Sequence, residues 1–275
     1  MRRGVKRFLL LLATIFVILG IGALIIWQSN IETITVTGNN FYKDSEIIDM
    51  IFEDKLQENT VFCYLENRFN EHKSVPFVER YQIEIKNRHE IEIVIYEKNI
   101  IGYINYMGSY MYFDRDGVVV ESSTEKKKGI VEVTGISFSN IVIGEAIALN
   151  SDQRYATLFD DILLMTQMFE KYDLNVKTIN FEEQSTETDN GIAYIRNVKV
   201  LVKNIVLDLG TTDFIDQKIA SASDILPNLK GLKGTLHLNR VTTAAADNGV
   251  YYFTVDPEEE TKSEAESEGS KKEND

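Results

Sequence analysis

Phe8 to Trp27 is a run of twenty residues without a charge. At about 1.5 Å rise per residue such a helix covers the roughly 30 Å hydrocarbon core of a bilayer. A cleaved secretory leader has a shorter apolar stretch and a small-residue cleavage site soon after it. Here apolar residues continue past "GIGA" at 20–23 to Trp27, so the run reads as an uncleaved anchor. Arg2, Arg3, Lys6 and Arg7 precede it. The positive-inside rule then keeps residues 1–7 in the cytoplasm and sends residues 28–275 outside.

The chain wastes no length after the anchor. Ile34 and Val36 alternate with Thr33, Thr35 and Thr37, the pattern of a half-buried strand. "GNN" at 38–40 is turn chemistry. Asp44 or Ser45 is placed to cap a helix whose apolar face is Ile47, Ile48, Ile51 and Phe52. Tyr64, Leu65 and Phe69 mark a second short helix, ended by "SVP" at 74–76. "VERYQIEIKN" and "EIEIVIYEK" follow as paired strands, with Tyr81, Ile83 and Ile85 on one face and Ile91, Ile93 and Ile95 on the other strand's face. "NRH" at 87–89 turns between them. The order is β-α-α-β-β.

Beyond residue 98 the pattern is strand-rich. "IIGYINYMGSYMYFDRDGVVVES" reads as three short strands, with a tight hairpin at Asp116-Gly117. "DRDG" lacks the further ligands of a calcium loop, so it is a turn. Residues 152–172 form an amphipathic helix with Leu158, Ile162, Met165, Phe169 and Tyr172 on one side. "TINFEEQ", "AYIRNVKVLVKN" and "IVLDLG" are strands. Asp213 is placed to cap a helix reaching about Leu226, and "GTLHLNRV" and "GVYYFTVD" close the folded part. Residues 256–275 carry nine acidic and three basic side chains and almost nothing apolar, the composition of a disordered tail.

The charge and motif content exclude several functions. A net charge of −14 repels nucleic acid. His72, His89 and His237 have no metal-ligand spacing, and His89 and His237 read as solvent-facing. There is no nucleophile elbow and no phosphate-cradling loop. No cofactor, metal or small-molecule substrate is implied. Cys63, the one cysteine, cannot form an internal disulfide and reads as a packing residue.

The pieces in this order resemble the FtsQ/DivIB family of bitopic cell-division proteins. "ITVTGNNFYKDSEI" resembles the opening of that family's POTRA domain, and "VPFVERYQIEIKNRHEIEIVIYEK" its closing strands, ending in the acidic–basic pair Glu97-Lys98. Asn99 stands where a proline often follows that pair. "YFDRDGVVV" is similar to the hairpin that opens the family's β domain, and "IVLDLGTTDFIDQKIASASDILPNLKGLKGTLHLNRV" to its final helix and strand. The resemblance implies an α+β protein: one transmembrane helix at 8–27, a POTRA-like domain at 28–98, a β domain at 99–255 and the acidic tail.

It also implies a non-catalytic divisome scaffold in the cell membrane, concentrated at the septum and binding other single-span division proteins of FtsB/DivIC and FtsL type. In the family the late part of the β domain is where a partner adds a strand. The matching residues are Leu236, His237, Leu238, Asn239, Arg240 and Val241, joined by Tyr251 and Tyr252, whose adjacent side chains point to opposite faces of a strand. A ligand-sensing or adhesive ectodomain is the alternative reading. A glycan-cleaving enzyme would need two carboxylates facing each other across a cleft.

Overall fold

The structure is a computed structural model that describes residues 3–52, 59–69, 71–149, 157–188, 191–239 and 251–256. It is an α+β protein whose chain divides into two units between Lys98 and Asn99. The expected acidic tail lies outside the described residues except for Asp256.

The first unit begins with α1 (Arg3–Trp27), which from Arg7 onward is long and apolar enough to cross a membrane and is covered by nothing in the described protein. Strand β1 (Thr33–Thr37), helices α2 (Asp44–Ile51) and α3 (Thr60–Phe69), and strands β2 (Val78–Asn87) and β3 (Glu90–Glu97) follow. The strands form one sheet in the order β1-β3-β2, with β1 parallel and β2 antiparallel to β3. Period-two alternation sends Val36, Ile93, Ile95 and Tyr81 to one face, where α2 covers them with Ile47 and Ile51. Ile83 is only half-buried, and Ile85, beside the register irregularity before Asn87, is 40% exposed against expectation.

Two local details differ from the sequence reading. Lys43, not Asp44 or Ser45, occupies the cap of α2; the Glu46 carboxylate accepts the Lys43 N–H at 2.7 Å. Glu97 reaches back across the sheet to the "GNN" turn. It accepts the N–H groups of Asn40 and Phe41 and the Asn40 side-chain amide. Gly38 there has φ +82°, and a Cβ would sit 2.4 Å from the Ile95 carbonyl oxygen, so no other residue fits without backbone movement.

The second unit holds β4 (Gly102–Tyr106), β5 (Ser109–Phe113), β6 (Val119–Ser123), β7 (Glu132–Thr134), the minor pair β8 (Phe138–Asn140) and β9 (Ala148–Leu149), α4 (Leu158–Lys171), β10 (Val176–Thr188), β11 (Gly191–Val202), β12 (Ile205–Gly210), α5 (Ile215–Ile225), β13 (Gly234–His237) and β14 (Tyr252–Val255). Nine strands make one sheet in the order β14-β13-β12-β11-β10-β7-β4-β5-β6. The β5–β6 hairpin turns on Asp114, whose carboxylate accepts the N–H groups of Asp116 and Val118. Helices α4 and α5 share one core with the sheet, contributing Leu158, Ile162, Met165 and Phe169 from α4 and Ile215, Ile219 and Ala222 from α5. Helix α4 starts at Leu158; residues 152–156, expected to belong to it, lie outside the described residues.

Candidate interaction edge

The corner β12–β13–β14 is built by a crossover. Strand β12 leads through α5 to β13, which lies parallel to β12, and β14 returns antiparallel beside β13. Helix α5 starts at Phe214 in the left-handed conformation, φ +55°, with no side-chain cap. The expected cap, Asp213, instead accepts the Thr211 hydroxyl at 2.9 Å. The buried Lys218 ammonium donates to the Thr211 carbonyl at 2.7 Å, and desolvation holds its pKa below the usual lysine value.

Strand β13 is flanked on both sides. Leu236 and Leu238 point into the core, 1% and 0% exposed, so their side chains do not reach a partner. The strand ends at His237; Asn239 lies in the turn after it, exposed, with its amide on the Asp208 carboxylate at 3.0 Å. Arg240 and Val241 lie outside the described residues. The sequence could not reveal this flanking, because β12 and β14 come from either side of long intervening segments.

The open strand is β14, which ends the sheet order among the described residues. Its register pairs Tyr252 with His237 and Thr254 with Thr235, and Asp256 N–H donates to the Lys233 carbonyl at 3.2 Å. Hydrogen-bonded pairs alternate along an antiparallel ladder. Tyr252, Thr254 and Asp256 therefore turn their backbone groups toward β13, while Phe253 and Val255 turn theirs toward the open side.

The two tyrosines face opposite ways. The Tyr251 hydroxyl meets the Ser221 hydroxyl of α5 at 2.8 Å, tying the approach to β14 to the helix layer. Tyr252 lies on the other face, 41% exposed, its ring stacked on His237 at 4.2 Å between centroids. His237 is not the free solvent-facing residue expected. Its Nδ1 meets Asp208 at 3.1 Å and its Nε2 meets the Thr254 hydroxyl at 3.2 Å. Asp208, His237, Thr254 and Tyr252 thus form a fixed polar row across three strands beside the open edge. No cluster of metal-ligating side chains occurs among the described residues.

No protein-family model matches the chain. It is 27% identical over 204 residues to cell division protein DivIB of Clostridium acetobutylicum, covering 73% of this chain and 75% of that protein. It is 23% identical over 231 residues to cell division protein DivIB of Clostridium botulinum, covering 82% and 83%, and 24% identical over 206 residues to that of Clostridium tetani, covering 74% and 72%. These alignments span most of each protein: the chain is similar to DivIB cell-division proteins, which supports the FtsQ/DivIB family.

Proposed function

We propose that the chain is a non-catalytic scaffold of the division machinery, gathered at the septum, that binds single-span division proteins of FtsB/DivIC and FtsL type. In this reading residues 1–7 are cytoplasmic, residues 8–27 cross the membrane, and the POTRA-like domain at 28–98 and the β domain at 99–255 stand outside. Arg2, Arg3, Lys6 and Arg7 before the apolar run support that orientation.

The open edge of β14 carries the proposal. An extended partner segment adds to such an edge through main-chain hydrogen bonds, and neighbouring side chains supply selectivity. The outward backbone groups of Phe253 and Val255 give the ladder, and Tyr252, held by His237, gives an aromatic anchor beside it. Asn239, Leu236 and Leu238 serve the edge from behind, as a turn and as core.

Two experiments test this. A fluorescent fusion followed through division is expected to concentrate at midcell; an even distribution around the cell overturns the scaffold reading. Full-length Val255→Pro removes an N–H from the open side and not from the β13 ladder. It is expected to lose capture of the DivIC-type partner while circular dichroism stays native. Undiminished capture by the folded variant moves the partner off this edge.

A further inference from the structure

Helix α3 turns its apolar side away from the unit it belongs to. At 3.6 residues per turn, Val61, Phe62, Leu65 and Phe69 fall within roughly 100° around the axis. Phe62 is 42% exposed, Leu65 43% and Phe69 78%, with Tyr64 exposed on the flank. The buried side of the same helix holds Thr60 and Cys63.

This stripe starts where α1 stops. The Asn59 amide donates to the Ile26 carbonyl at 2.6 Å, and the Thr60 N–H donates to the Ser29 carbonyl at 2.8 Å. The Ser29 hydroxyl returns to the Ile25 carbonyl, and His89, in the β2–β3 turn, meets the Asn30 carbonyl at 2.8 Å. The Ile26 carbonyl of the apolar helix and the Ser29 carbonyl just after it are therefore held by Asn59 and Thr60 at the start of α3. Trp27, 75% exposed, lies at the same end.

We propose that α3 lies in the membrane–water interface, with Val61, Phe62, Leu65 and Phe69 dipped among the lipid headgroups and upper acyl chains. The bilayer is the occupant because the stripe is continuous with the helix that enters it. A helix of Phe and Leu on one side, flanked by Tyr64 and the exposed Arg68, has the residue types that interfacial helices use. The lipid contact would hold the first unit at a fixed tilt above the membrane. The proposal rests on α1 crossing the membrane.

Tryptophan quenching in full-length protein separates the two ideas. In vesicles of phosphatidylcholine and phosphatidylglycerol, wild-type Trp27, the one tryptophan, reports the span. Trp27→Phe combined with Phe62→Trp, or with Phe69→Trp, reports α3. Lipids brominated near the headgroup end of the acyl chain are expected to remove about half the emission from either α3 probe, as a helix sunk 5–10 Å into the interface requires. Aqueous iodide is expected to reach both probes poorly. Full iodide quenching without bromolipid quenching overturns the proposal. Shelter from both quenchers also overturns it, and points to a covering protein such as a second copy. Absence of bromolipid quenching at Trp27 overturns the span itself.

Discussion

Helices α3 and α4 carry the same kind of pattern and have opposite fates. Both place apolar residues at spacings of three and four. In α4 these residues, Leu158, Ile162, Met165 and Phe169, are all at most 5% exposed, because α5 and the nine-stranded sheet close over them. In α3 the corresponding residues face outward: the helix meets β2 through its other side, which buries Thr60 and Cys63, and no described element of the first unit covers Phe62, Leu65 and Phe69. A periodic pattern shows that a helix has an apolar side. Whether that side meets protein depends on what stands over it. In the small unit α2 and α3 each pack one side on the three-stranded sheet and no described element of that unit covers the outward side of α3; in the large one α4 shares its core with both the sheet and α5.

The largest expected difference between the units is in their tolerance of a cavity. Ile93 and Ile162 are both fully buried. Ile93→Ala and Ile162→Ala should each cost about 2–5 kcal/mol. A small domain has little stability to spare, so the first substitution should unfold residues 28–98 at growth temperature, and the second should only lower the melting point of the other unit. Alkylation of Cys63, the sole cysteine, reports the first unit separately from bulk unfolding. Equal loss in both units would show that their stabilities are coupled.

What the sequence could and could not reveal divides along the same line. The strands β1, β2 and β3 and the helix α2 are legible because alternation and 3.6-residue periodicity are local signals, and Ile47, Ile51 and Ile93 are found in the core as their faces require. The outward side of α3 is not legible, since tertiary packing decides which of its sides meets β2, and the side that does so holds Thr60 and Cys63. At the interaction edge, Tyr251 and Tyr252 diverge as adjacent strand residues must. The buried positions of Leu236 and Leu238, and the Asp208–His237–Thr254 row, depend on neighbours from distant parts of the chain. Glu97 could be noticed as part of an acidic–basic pair; its service to the backbone of Asn40 and Phe41, more than fifty residues earlier, could not.

The next effect is the pH dependence that Cys63 gives the first unit. Burial, and secondarily the nearby Glu66 charge, push the Cys63 thiol up from 9.0 to about 11. Below pH 9 the thiol is protonated whether the chain is folded or not, so the stability is intact. Above pH 9 the unfolded chain ionises first, and stability is lost as pH rises toward 11, by about 2 kcal/mol. Denaturation of the first unit, followed at pH 8 and pH 10.5 in wild type and in Cys63→Ala, checks this. The pH-dependent part should shrink in the variant. An unchanged slope would assign it to other groups, such as Tyr81, whose pKa is also raised by burial.

A smaller loss is expected at the turn. Glu97→Ala removes the acceptor of two backbone N–H groups at a half-buried position. A charge-assisted hydrogen bond contributes more than a neutral one, but water can replace part of what is lost here, so about 1–2 kcal/mol is expected. Glu97→Gln keeps the shape and one acceptor and should cost less. If both variants melt like wild type, the turn is held by Gly38 and the β1–β3 ladder alone.

The smallest effect is the sharpest test of the comparison. Leu65→Gln and Phe69→Gln alter the outward side of α3, so they remove little packing from the first unit and leave no buried cavity. In detergent-solubilised protein each should change the stability of that unit by no more than about 0.5 kcal/mol, the range of ordinary surface substitutions. Met165→Gln, at the matching spacing in α4, buries an amide where Met165 is now 0% exposed and should cost several times as much. Cys63 alkylation read against denaturant concentration measures the first pair, and calorimetry of the second unit measures the third. A large loss from Leu65→Gln would mean that α3 packs its apolar side against protein after all. The two helices would then differ only in which part of the chain covers them.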